Sequence, residues 1–286
     1  MQQILVTGAN GQLGRELQQL SENHSYFKFY FFSRNDLDIT NTEAIKAAFS
    51  KVKPDHCINC AAYTTVDKAE TETEQAYAIN TKAVKDLALI SAEHRTNFIH
   101  ISTDYVFDGT ATNPYKEDDV TNPINVYGAS KRLGEIEALK ANGQSIVIRT
   151  SWLYSVYGNN FVKTMHRLMQ TRSDINVVAD QYGSPTNAAD LAQIVLTILQ
   201  SQTLTSGIYH FSNEGSISWY DFATEIKKII GSSCNIHPIT TEQYPTAAKR
   251  PKYSVLEKEK IQQVFGIQIK SWQESLKTCL MKLSAA

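Results

Sequence analysis

A tyrosine and a lysine stand four residues apart in YGASK (127–131), downstream of STDY (102–105). On a helix that spacing puts Tyr127 and Lys131 on one face, roughly 6 Å apart along the axis. An ammonium beside a phenol lowers the cost of forming phenolate, so the phenol can give up and recover a proton near neutral pH. Reducing a carbonyl or oxidising an alcohol needs that proton. The chain carries 14 tyrosines, so the spacing alone has little weight, and such pairs usually decorate a surface. What matters is whether other segments bring partners to the pair.

The elements that would do so alternate over the first 150 residues. QILVTG (3–8), YFKFYFF (26–32), HCINCAA (56–62), NFIHIST (97–103) and QSIVIRTSW (144–152) read as strands. Between them run GQLGRELQQLSE (11–22), with leucines at helical spacing, then NTEAIKAAFSKV (41–52), a long helix over 71–94, and VYGASKRLGEIEALKA (126–141). This alternation predicts an α/β fold, a doubly wound parallel sheet of Rossmann type with helices on both faces. After residue 153 the pattern loosens into helices at 159–170, 188–200, 218–231 and 271–283, with strands at 175–180 and 207–212. The expected organisation is a dinucleotide-binding domain over 1–152, to which 188–212 returns, and a smaller interleaved substrate lobe over 153–286.

TGANGQLG (7–14) sets Gly8, Gly11 and Gly14 between the first strand and the first helix. Glycines there allow a tight turn and a close backbone approach to a pyrophosphate held at a helix N-terminus. Asn10, Gln12 and Leu13 belong to the same loop. The second strand ends in Phe32, and Ser33 and Arg34 follow where an NAD site usually has an acid. A hydroxyl and a guanidinium suit a 2′-phosphate, which favours NADPH. Asp36 and Asp38 are close enough to keep NADH open. Beyond the carboxyl ends of the next strands come Ala61, Ala62, Tyr63 and Thr64, then Ser102 and Thr103. Thr103 could hydrogen-bond a substrate oxygen, Tyr127 could supply the proton, and Lys131 could support the phenol and grip the nicotinamide ribose.

Composition is that of a globular chain, 42% hydrophobic and 20% charged, with a net charge of −1. That charge gives no reason to expect nucleic acid or an anionic membrane surface as a partner. Cys57 and Cys60 form a C-x2-C, but residues three apart on a strand face opposite sides, and no second ligand pair has zinc spacing. No basic leader and no long apolar run are visible, so a cytoplasmic location with reduced thiols is expected.

TGxxGxxG, YxxxK and the upstream Ser-Thr together resemble the extended, nucleotide-sugar branch of the short-chain dehydrogenase/reductase superfamily. GANGQLG (8–14), AAYTTVDKAE (61–70), STDYVFDG (102–109), NVYGASKRLGE (125–135), DQYGSPT (180–186) and RPKYSVL (250–256) are similar to the dTDP-4-dehydrorhamnose reductase family, nearly from end to end. The resemblance implies NADPH-dependent reduction of the 4-keto group of dTDP-4-dehydro-L-rhamnose, in dTDP-rhamnose biosynthesis. It implies catalysis by Thr103, Tyr127 and Lys131, and pyrophosphate contacts at Gly11, Gln12 and Leu13. Asp38 and Ile39 match the adenine contact, and Ala62, Tyr63 and Thr64 the segment beside the nicotinamide half. Asp104 and Trp152 match substrate contacts, the Trp covering the sugar, with Tyr105 adjoining. Arg250 is our own candidate for the substrate diphosphate. Some members resemble a magnesium-bridged dimer built on glutamates. Glu16 matches one such ligand and the others have no evident match, which leaves Mg2+ and the choice between monomer and homodimer open.

Two rivals share the motifs. A nucleotide-sugar dehydratase would need a further acid and base, and Asp104 is followed by Tyr105 where related dehydratases carry Glu; an epimerase would keep its nicotinamide bound through turnover. A non-catalytic NADP-binding subunit, like the regulatory subunit of methionine adenosyltransferase, would not need the intact Thr103, Tyr127 and Lys131.

Overall fold

The computed structural model describes residues 1–201 and 203–284. Five strands, β1 (Gln2–Thr7), β2 (Phe27–Phe32), β3 (His56–Asn59), β4 (Asn97–Thr103) and β5 (Ile146–Thr150), join a sixth at Gly207–His210 in one sheet. Its order is β2-β1-β3-β4-β5 and then the sixth strand, and every pairing is parallel. The return of 207–212 to the main sheet is therefore present. Strand order reverses between β1 and β3, so the loops after those two strands open a crevice at the carboxyl edge of the sheet.

The inner strands β1, β3, β4 and β5 are buried on both faces, and their alternate side chains feed two apolar layers. Ile4, Val6, Ile58, Ile99 and Ile148 meet Leu13 and Leu17 of the helix Gln12–Ser21, with Leu191, Val195 and Ile198 of the helix Ala188–Gln200. Leu5, Cys57 and Phe98 meet Ile45 and Phe49 of the helix Thr42–Val52, Leu87, and Ala138. Cys57 and Cys60 thus serve opposite layers, and all four cysteines are free thiols. A third cluster draws Tyr154, Val162, Met165, Phe222, Ile226 and Leu276 together from later segments. One of those segments is the helix Trp219–Ile230, closed by a Ser218–Asp221 capping box and a left-handed Gly231.

The span 71–94 differs from the single helix expected of it. It runs as Thr73–Tyr77, a π-helical turn Ala78–Lys82, and Ala83–Glu93. The wide turn swings the Asn80 carboxamide onto the main chain of Tyr63, accepting from its N–H at 2.9 Å and donating to its carbonyl at 3.0 Å. A helix period cannot announce such a turn, because its cause is a partner 17 residues away. Also unanticipated are the short helices Val66–Ala69 and Glu259–Phe265, and the strand Asn235–Ile239 that pairs with Asp174–Val178.

Candidate active site

The phosphate loop is built by contact distances. Gly8 has φ +69, and a Cβ there would stand 2.6 Å from the Ala61 nitrogen, so only glycine lets the loops after β1 and β3 touch. A Cβ at Gly14 would stand 2.5 Å from the Gly8 carbonyl oxygen. Gly11 is the N-cap of the first helix and offers no side-chain cap. The first N–H groups of that helix are left for an outside acceptor, at the positive end of the helix dipole. Gln12 donates to the Leu153 carbonyl at 3.3 Å and accepts from Asn160 Nδ2 at 2.9 Å, tying the loop to the later segment.

These residues open on a cavity of about 840 Å³, large enough for a dinucleotide and part of a second ligand. Gly8, Asn10, Gly11, Gln12 and Leu13 line it, as do Arg34, Asp38 and Ile39. Ala61, Ala62, Thr64, Thr103, Asp104, Tyr105, Tyr127, Lys131 and Trp152 line it as well. The structure brings most of the expected residues to one space, and four others stand elsewhere. Gly14 packs beneath the loop. Ser33 spends its N–H and hydroxyl on Asp36 Oδ2, at 2.9 and 2.6 Å. Tyr63 turns its phenol away to Glu72 at 2.7 Å. Arg250 lays its guanidinium on Asp67, at 2.7 and 3.1 Å.

The Tyr127 helix, Val126–Ala141, is anchored on three sides. Asn125 caps it by accepting from Gly128 N at 2.7 Å, and Glu70 accepts from Val126 N at 2.9 Å. Glu135 sits wholly buried and takes Arg149 in two bonds of 2.9 and 2.8 Å, Arg132 at 3.0 Å and the Ser102 hydroxyl at 2.6 Å. That network locks the helix to β4 and β5. The acids of the VDKAE stretch thus act as anchors, Asp67 for Arg250 and Glu70 for this helix.

Burial dominates the electrostatics of Tyr127 and Lys131. It pushes the Tyr127 phenol up to about 12, against a hydrogen bond with Thr103. It pushes the Lys131 ammonium down to about 8, with the nearby Glu135 and Cys60 opposing. Lys131 bonds the Ile101 carbonyl at 2.6 Å and approaches His100 Nε2 at 3.2 Å. The ammonium-assisted lowering anticipated for the phenol is not the leading influence here, because desolvation outweighs it and the lysine nitrogen is engaged on the β4 side. The Thr103 hydroxyl donates to Asp104 Oδ1 at 3.0 Å and accepts from Tyr105 N at 3.2 Å.

On the substrate side, burial raises Asp104 from 3.8 to about 6, and its Oδ2 has no hydrogen-bond partner. Tyr105 meets Tyr127 edge to face at 5.8 Å between ring centroids. Trp152 holds φ +48, and its indole stacks on Trp219 with centroids 3.5 Å apart and planes 9° apart. Trp219 lines the cavity too, and so escaped a reading that saw it only as a helix start. Asn59 and His100 also escaped it. Their signal was present in the sequence, as polar residues inside strands otherwise apolar on both sides.

Glu16 does not fit a magnesium site in this chain. Its Oε1 accepts from the Ser155 hydroxyl at 2.5 Å. It faces a cleft shared with Asp190, Lys270 and Lys282, and Asp190 is paired to Lys270 at 3.3 Å. The ammonium groups supply the positive charge there, and among the described residues no cluster of three or more His, Cys, Asp or Glu side chains is arranged to hold a metal. Among the described residues no helix is long and apolar enough to cross a membrane.

The profile of the RmlD substrate binding domain family matches residues 1–285. The dTDP-4-dehydrorhamnose reductase of Aggregatibacter actinomycetemcomitans is 44% identical, over 97% of this chain and 98% of that protein. The spore coat polysaccharide biosynthesis protein SpsK of Bacillus subtilis is 41% identical, over 100% of this chain and 99% of its own. Among solved structures, the dTDP-4-dehydrorhamnose reductase of Bacillus anthracis in complex with NADP superposes with a TM-score of 0.95 at 41% identity, covering 98% of this chain and 99% of that one. With a uniformly parallel sheet, an uncapped phosphate-loop helix and this end-to-end similarity, the chain belongs to the RmlD substrate binding domain family.

Proposed function

We propose that the chain reduces the 4-keto group of dTDP-4-dehydro-L-rhamnose with NADPH, giving dTDP-L-rhamnose. The observation that carries the reading is the meeting of Thr103, Tyr127 and Lys131 with the bare N-terminus of the first helix in one cavity. When bound, NADPH supplies the hydride. The first helix and Gly11 take its pyrophosphate, and Arg34 stands on the wall where a 2′-phosphate would lie. Thr103 orients the keto oxygen, and Tyr127 gives its proton to the alkoxide that forms there. The phenol, held near 12, stays protonated until charge develops on the substrate. Asp104 offers the unpaired Oδ2 to a sugar hydroxyl. The two indoles close the wall beside that sugar, Trp152 having one face covered by Trp219.

Dehydratase chemistry has less support, since Tyr105 stands after Asp104 where a dehydratase would place its second carboxyl, and a buried phenol does not replace a carboxylate base. The test is NADPH oxidation with dTDP-4-dehydrorhamnose, set against other 4-keto sugar nucleotides. Oxidation with the rhamnose precursor is expected to lead. Purified protein that carries tightly bound NAD and turns over without added NADPH would refute the reductase.

A further inference from the structure

Beneath the proposed proton donor lies a buried chain of polar groups that the reduction itself does not use. Asn59, at the end of β3, accepts from the Thr7 hydroxyl at 2.6 Å and from the Ala61 main-chain N–H at 3.2 Å, both on Oδ1. A main-chain N–H can only donate, so the carboxamide cannot be turned round. Its Nδ2 therefore points its hydrogen at His100 Nδ1, 3.1 Å away. His100 is wholly buried, and burial with the neighbouring Lys131 holds it well below its ordinary range. A neutral imidazole has one N–H. With Nδ1 committed as acceptor, the hydrogen is on Nε2, facing the Lys131 nitrogen at 3.2 Å. An ammonium has no lone pair with which to accept it, whereas an amine does, and can still donate to the Ile101 carbonyl.

We propose that His100 is a positioning residue for Lys131: fixed by Asn59 as its Nε2–H tautomer, it donates to the lysine nitrogen and so favours the amine over the ammonium. The titratable groups turned toward Lys131 are His100 from β4, Cys60 from the loop after β3, and Glu135 from its own helix, the last already paired to Arg149. The inference rests on the reductase reading for its use in turnover. Tyr127 gives its O–H proton to the substrate alkoxide and becomes phenolate. Lys131 steadies that phenolate while it is the ammonium, and Tyr127 regains its proton from water. With Lys131 near 8, that charge is lost just above neutral pH, and the amine is the form that His100 accommodates.

The tautomer is measured without turnover, by long-range proton–nitrogen NMR of the imidazoles in the purified chain. Wild type is expected to show Nε2–H at His100. Asn59→Asp, the same shape with a second acceptor, is expected to move the hydrogen to Nδ1. An Nδ1–H wild type, or one tautomer in both proteins, overturns the assignment. The pH profile of kcat/KM tests the link to Lys131. In His100→Phe the basic limb is expected to move up by roughly one pH unit, the scale of one lost hydrogen bond. In His100→Gln, which can still donate, it is expected to stay in place. Limbs that coincide in all three proteins overturn the positioning role. A wild type without NADPH-dependent turnover would instead refute the reductase reading and leave the tautomer result intact.

Discussion

Asp104→Asn should make the folded chain more stable and the enzyme worse. The Asp104 carboxyl is almost wholly buried at the cavity wall, with Oδ2 unpartnered. Burial moves it from 3.8 to about 6, and the hydroxyls of Ser254 and Thr103 only partly oppose that. Because the folded value lies above the unfolded one, the folded chain binds the proton more tightly. Above about pH 6 both states are ionised and the folded state bears the full cost, ~3 kcal/mol. As the pH falls through 6 toward 3.8 the folded state protonates first, and the cost fades. Asparagine keeps the acceptor for Thr103 and removes the charge. Urea unfolding of both proteins at several pH values should therefore show the variant ahead by ~3 kcal/mol near pH 8 and level with wild type near pH 4. Turnover should fall above about pH 6, where wild type offers the sugar a charged acceptor, and the gap should narrow below it. A stability difference that stays constant with pH, or one that favours wild type at pH 8, would refute the argument.

Tyr127→Phe should lower turnover about 10²- to 10⁴-fold while NADPH affinity, read by fluorescence titration, stays close to wild type. Glu135→Gln leaves Arg149 buried beside a neutral group and should cost ~3–5 kcal/mol in thermal or urea unfolding. Gly14→Ala puts a methyl 2.5 Å from the Gly8 carbonyl oxygen; displacing the loop should weaken NADPH binding by at least about tenfold, the effect of ~1.4 kcal/mol. Burial raises the thiols of Cys57, Cys60 and Cys279, the last two to about 12. In native protein at pH 8 these three should resist a thiol reagent that labels them once urea unfolds the chain.

What was legible in the sequence was whatever a local period or a cap could carry. The helix 126–141 begins and ends as read, because Asn125 caps its first turn. The glycine loop was legible because only the four residues 8–11 separate strand from helix. Features set by distant partners were not. The π-helical turn at 78–82 exists for Tyr63. Ser33 turned from the cofactor because Asp36 lies three residues on and captures it. Arg250 pairs with Asp67, 183 residues earlier. Trp219 reaches the cavity only because residues 152 and 219 fold onto each other. Hydrophobic periodicity records which face is buried and says nothing of which polar groups meet there.

The Glu135 cluster has a consequence for how the chain assembles. Its bonds reach Ser102 across 33 residues and Arg149 across 14, and Arg149 meets His210 across 61. Neither charge can leave water until the others arrive, since a lone buried carboxylate is far costlier than a hydrated one. The cluster must therefore close after β4, β5 and the returning strand have paired, on the native side of the folding barrier. Its removal should quicken unfolding and leave the refolding rate nearly alone. The same ions that fix the Tyr127 helix act as a latch on the finished sheet, setting how long the molecule stays folded more than how fast it gets there.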